Sequence, residues 1–163
     1  MRILVSDTSV IIDLERAGLL ENAFGCGHRF VVPDLLFERE FANDGERLIG
    51  LGLEIESLNA EELAFAQKSF QTQKALSLPD CFAMALGTRE KYVLLTGDKA
   101  LRNFAELHQI KCHGVLWLLD RIEESGNVDF SELLQGLVQL ASHPRCRLPK
   151  AEIAIRVKRW RQI

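Results

Sequence analysis

Residues 1–17 read MRILVSDTSVIIDLERA. The run from Arg2 to Ser6 is mostly apolar and too short for a helix, so it reads as a buried strand. Asp7 follows it directly, and Thr8 or Ser9 can cap a helix through about Ala17. Residues 91–107, KYVLLTGDKALRNFAEL, repeat the arrangement. Tyr92–Leu95 is a second buried strand, and Asp98 opens the helix KALRNFAELH. Two strands that each end in an aspartate at the start of a helix set the expected architecture. In open α/β sheets, ligands bind outside the carboxyl ends of the strands.

The intervening chain fits the same plan. A short helix is expected near Leu19–Phe24. Phe30–Val32 is a strand closed by Pro33, which suits a first helical turn before DLLFEREFAND (34–44). LEIESL (53–58) alternates apolar and acidic residues, as a half-buried edge strand does. Asn59 caps AEELAFAQKSFQTQ, with Glu62 three residues on as in a capping box. Ser77 caps LPDCFAMALGTRE, and Ile110–His113 is a last short strand. VLWLLDRIEES (115–125), FSELLQGLVQLAS (130–142) and KAEIAIRVKRW (150–160) read as helices. Strands alternating with helices predict an α/β fold, with a mostly parallel central sheet and helices on both faces.

The chain has 163 residues, 47% hydrophobic and 26% charged, which is one globular domain's worth. No run approaches the roughly 18 apolar residues of a membrane span. Asp7 and Asp13 interrupt any signal-peptide core, so a cytoplasmic protein with no membrane partner is expected. Cys26, Cys81, Cys112 and Cys146 lie far apart and read as reduced thiols. Together with His28, His108 and His113 they match no common zinc spacing. The net charge of −3 does not mark a nucleic-acid binder. From His143 onward, however, seven Lys or Arg face one Glu, a surplus of six that leaves the rest of the chain at −9. HPRCRLP (143–149) is the one candidate joint. Ile153, Val157 and Trp160 form an apolar stripe on the last helix, expected to pack on the body or on a second copy.

Two further acids sit near helix starts: Glu38 in DLLFERE and Asp80 in SLPDCF. Each acid alone suits a helix cap, where a carboxylate gains about 0.3–1 kcal/mol. Acids converging on one sheet edge are different, because at about 4 Å like charges repel by roughly 4 kcal/mol at an effective dielectric of about 20. A divalent cation offsets that repulsion, and Mg²⁺ favours a few carboxylates plus water and phosphate. No histidine lies in these segments, and there is no G-x-S-x-G or phosphate-binding loop. Metal-driven hydrolysis therefore fits better than histidine-based catalysis.

The series DTSVIIDL (7–14), VPDLLFEREF (32–41), LSLPDCFAMALG (76–87) and LLTGDKALRNFA (94–105) resembles the PIN domain, as in nuclease toxins of the VapC type and their relatives. The likeness covers roughly residues 1–115. It implies a three-layer PIN-like domain over 1–125, and 126–163 would be a C-terminal helical extension packed on it. It also implies an acidic cluster that binds Mg²⁺ or Mn²⁺ and hydrolyses phosphodiesters, usually of RNA. Asp7, Glu38, Asp80 and Asp98 match the four acids in order, as both catalytic and metal-binding residues. Glu38 is taken because it lies five residues after Pro33, with Glu40 the alternative. Thr8, Ser9 and Thr96 match hydroxyl residues that orient carboxylates or water, and Asp13 is supportive at most. Lys99 and Arg102 are placed to contact substrate phosphate.

The resemblance thus points to a metal-dependent endoribonuclease, with an RNA substrate and a homodimeric state. If the chain is a toxin, a small antitoxin protein blocks its acidic cleft. The helices from His113 onward extend beyond the compact toxin pattern. The alternative is a catalytically silent nucleic-acid- or protein-binding module on the same fold. A phosphatase of the D-x-D type is disfavoured, since the segment here is Asp7-Thr8-Ser9.

Overall fold

A computed structural model describes residues 1–161. Five parallel strands form one sheet in the order β3-β2-β1-β4-β5. They are β1 (Ile3–Ser6), β2 (Arg29–Pro33), β3 (Glu54–Glu56), β4 (Tyr92–Leu95) and β5 (Cys112–His113). Leu4 and Val5 of β1 and Leu94 and Leu95 of β4 are fully buried. That is why these strands read as continuous apolar runs: helices cover both faces of a parallel sheet. β1 aligns with β4 from Ile3 opposite Tyr92 to Ser6 opposite Leu95. The chain winds outward from β1 through β2 to β3, then returns to the other side of β1 with β4. The strand order therefore reverses between β1 and β4, and Asp7 and Asp98 lie just past the carboxyl ends of these two strands.

Ten helices are described: α1 (Thr8–Ala17), α2 (Leu20–Phe24), α3 (Asp34–Glu40), α4 (Gly45–Leu51), α5 (Ala60–Thr72), α6 (Leu78–Leu86), α7 (Lys99–Leu107), α8 (Val115–Ser125), α9 (Phe130–Ser142) and α10 (Lys150–Arg161). α5, α6 and α7 pack on one side, and α1, α2, α8 and α9 on the other, with α10 laid over α9. The capping boxes expected at Asn59–Glu62 and Ser77–Asp80 both form.

Three local readings are corrected. The helix expected over 34–44 ends at Glu40, and an unforeseen α4 follows. Gly45 starts α4 against the ring of Phe37, which a Cβ at position 45 would strike. Pro33 ends β2 in extended conformation (ψ 143°) and precedes α3. In β3 the burial is inverted, since Ile55 is 39% exposed and Glu56 half-buried. Glu56 is held there by Arg89 (2.9 Å) and the Tyr92 hydroxyl (3.0 Å). Arg89 also reaches Glu62 at 2.8 Å, so one guanidinium ties β3, α5 and the loop before β4 together.

The buried apolar cluster runs without a break from Leu4 and Val5 through Leu133, Leu137 and Leu140 of α9 to Trp160 of α10. Arg156 donates to both oxygens of Asp120 at 2.9 and 2.7 Å. Arg159 donates to Asp120 at 2.8 Å, and Trp160 Nε1 to Glu123 at 2.9 Å. The α10 stripe thus faces the body, and two of its arginines are engaged by acids of α8. No described helix is long and apolar enough to cross a membrane.

Candidate active site

Asp7 follows β1 directly and is the N-cap of α1. Its amide donates to the Leu95 carbonyl at 3.0 Å, continuing the β1–β4 ladder by one residue. That places its carboxyl in the sheet layer, only 2% exposed. Oδ1 accepts from the Ser9 hydroxyl (2.7 Å) and the Val10 amide (3.0 Å). Oδ2 accepts from the Thr96 hydroxyl. Thr96 is wholly buried, and its oxygen also accepts from the Asp98 amide at 3.0 Å. The Gly97 amide donates to Ser9 Oγ at 3.2 Å. Two strand ends are thereby stitched into one polar knot around a single carboxylate.

Asp98 caps α7 by accepting from the Leu101 amide at 2.9 Å. Asp80 accepts from the Ser77 amide at 3.1 Å through Oδ2. Among the described residues, Asp80 Oδ1 and Asp98 Oδ2 accept no hydrogen bond. Asp7 and Asp98 are therefore helix caps, and Asp80 completes the capping box of Ser77, yet neighbouring charges are also felt. Burial pushes the Asp7 carboxyl up to about 6, against hydrogen bonds from Thr96, Ser9 and Val10 that favour its charged form, and the Asp80 charge raises it further. Asp80 is raised by burial and by the charge of Asp98. Two pairwise couplings, Asp80 with Asp7 and Asp98 with Asp80, thus link acids up to 91 residues apart near the β1/β4 reversal, where a neighbouring negative charge disfavours ionisation.

The other expected residues divide. Ser9 and Thr96 hold Asp7, as their hydroxyl chemistry implies, whereas Thr8 makes no side-chain hydrogen bond among the described residues. Glu38 and Glu40 are exposed on α3. They enter neither the Asp7–Asp80 nor the Asp80–Asp98 coupling, although α3 packs against α6, which carries Asp80. Arg102 donates to the Thr96 carbonyl at 3.2 Å, so it braces the site as well as bordering it. Asp13 is half-buried and raised by burial, with Arg16 and His143 counteracting.

A cavity of about 890 Å³ opens beside Ser9, Gly97 and Asp98. Its wall includes Lys99 and Arg102, and also Arg145 and Arg147. The last two went unread because HPRCRLP carries no periodicity, and a joint shows nothing of what it crosses. The thiol of Cys112, also on the wall, is pushed up to about 11 by burial, so it stays protonated and is no nucleophile at neutral pH.

Among the described residues no three His, Cys, Asp or Glu side chains converge as a preformed ligand set. The donors nevertheless fit a hard cation in kind. They are all carboxylate oxygens, two have an unoccupied oxygen, and their mutual repulsion is what a divalent charge relieves.

No curated protein matches the sequence. A family model, DUF3368, described as a PIN domain, matches residues 3–162. The match spans the strand-end acids and the terminal helices alike. A five-stranded parallel sheet with aspartates coupled across its point of reversal is thus accounted for along almost its whole length, and the chain belongs to the PIN-domain family.

Proposed function

We propose that this chain is a divalent-metal-dependent endoribonuclease. One observation carries the reading: at the strand-order reversal the charge of Asp80 raises the buried Asp7 carboxyl, and the charge of Asp98 raises Asp80. Family membership supports a nuclease-type activity. Asp7, Asp80 and Asp98 would hold Mg²⁺ or Mn²⁺, and Glu38 would contribute from α3. When bound, such an ion supplies charge neutralisation at the phosphate and a water acidic enough to act as nucleophile. Ser9 and Thr96 keep the Asp7 oxygens aimed, and Arg102 fixes the Thr96 carbonyl behind them. Lys99 and Arg102 offer positive charge where a phosphate would lie.

The test is cleavage of a mixed single-stranded and structured RNA pool by wild type and Asp98→Asn, with Mg²⁺, Mn²⁺ or EDTA. Cleavage by wild type alone, and only with metal, is expected. Undiminished metal-dependent cleavage by Asp98→Asn removes that residue from the mechanism. One observation favours a second reading, a silent binding module: all three aspartates have a local helix-capping role, Asp7 and Asp98 as N-caps and Asp80 in the capping box of Ser77. RNA binding in EDTA without turnover under any divalent ion would select it. If the chain acts as a toxin, its inhibitor would place an arginine among the carboxylates, where bidentate pairing is strong. A small stoichiometric protein co-purifying from the host is then expected.

A further inference from the structure

The basic surplus after residue 142 is not evenly available. On α10, Arg156 and Arg159 are engaged by Asp120 and Glu123. In the connector between α9 and α10, Arg145 and Arg147 form no ion pair among the described residues, and both border the 890 Å³ cavity. Lys99 and Arg102 border it from α7, and Arg16 from α1. Against these five cations the cavity wall has two acids, Asp13 and Asp98. In a chain of net charge −3, this is a local positive surface, and it adjoins the coupled aspartates.

The wall is also apolar. Ile12 is 41% exposed on α1 because it faces this space instead of the core, and Leu148 of the connector shares the wall. The volume lies within the roughly 300–1,000 Å³ typical of small-molecule sites. It suits a nucleotide with its base unstacked. An intact A-form helix is instead recognised from outside, through its backbone and shallow groove.

We propose that the connector 143–149 and the faces of α1 and α7 form a subsite for an unpaired nucleotide of a single-stranded RNA. Arg145 and Arg147 contact its phosphates, and Ile12 and Leu148 contact its base. The assignment rests on the nuclease reading for what happens to the strand, but binding is separable from cleavage. Because the connector joins two helices docked on the body, the subsite is held in place by Trp160 and the Asp120–Arg156 pair.

The test uses the full chain in EDTA and a fluorescently labelled single-stranded 12-nucleotide RNA, read by anisotropy. The same strand annealed to its complement is the comparison. Arg145→Gln/Arg147→Gln is compared with Lys150→Gln/Lys158→Gln, an equal charge change on α10. The connector variant is expected to weaken single-strand binding about tenfold or more. Its log-affinity slope against log salt should fall by about 1.4, as loss of two phosphate contacts implies. The α10 variant should change affinity less than twofold, and the duplex should bind more weakly than the strand. Equal losses in both variants, tighter duplex binding, or no RNA binding by wild type overturns the proposal. So does displacement by polyglutamate at matched charge concentration, which would mark the cavity as a site for acidic protein segments. Metal-dependent cleavage by wild type with an unaffected connector variant would leave the nuclease standing and remove the subsite. Connector-dependent binding without any cleavage would do the reverse.

Discussion

At the scale of the residue, Asp7 carries the largest electrostatic burden. Its folded carboxyl titrates at about 6 against an ordinary 3.8. Well below pH 3.8 the group is protonated in both folded and unfolded chains and costs nothing. As pH rises from 3.8 to about 6 the unfolded chain ionises while the folded one does not, and the folded chain is penalised by about 3 kcal/mol, a cost that stays constant at higher pH. Asp7→Asn should therefore be more stable than wild type at pH 8 in EDTA, and its advantage should shrink to a small fraction of that at pH 4. Urea unfolding at the two pH values measures this. Adding Mg²⁺ should stabilise wild type more than the variant, because a cation bound only by the folded state shifts unfolding by mass action. Equal stability of the two proteins at pH 8 would show that Asp7 is not the strained group described above. The same residue marks a limit of sequence reading. Its position after a strand was legible, but its burial beneath Thr96, 89 residues away, follows from strand pairing.

At the scale of the element, two glycines in helices make opposite predictions. Gly136 lies where α9 crosses α1. An added Cβ would come within 2.8 Å of the Ala17 carbonyl and 2.7 Å of Leu19. Gly136→Ala should cost about 1–3 kcal/mol through overpacking. Gly50 of α4 meets nothing within 4 Å, so Gly50→Ala should gain about 0.5–1 kcal/mol from helix propensity alone. Thermal denaturation of the pair decides between local propensity and tertiary contact as the controlling term. The elements themselves were largely readable, because caps such as Asn59 and Ser77 act within four residues. The break after Glu40 was not. It depends on Gly45 folding back beneath Phe37, a contact between helices. The acid–apolar alternation of β3 misled for a related reason: Glu56 is drawn inward by Arg89 from another element.

At the scale of the whole molecule, the terminal helices belong to the same apolar cluster as the sheet. Trp160 is 2% exposed, and its removal should cost about 3–5 kcal/mol. Trp160→Ala should lower the midpoint of the entire unfolding transition. Far-ultraviolet circular dichroism and the fluorescence of Trp117 in α8 should move together. Early loss of helical signal with an unshifted Trp117 transition would show α10 to be a separate unit. The docking also decides where charge is presented, because acids of α8 engage the arginines of α10 while the connector's arginines stay at the cavity.

Strand-end aspartates, helix caps, apolar periodicity and the order of β and α segments were determined within short windows of this chain. They depend on interactions across a few residues, and they sufficed for the fold class and for Asp7, Asp80 and Asp98 as candidates. Which acids sense one another, which hydroxyls hold them and which cations remain available were decided only by tertiary packing. Coulomb energy and desolvation depend on distance and burial in space, and no local window of sequence contains either.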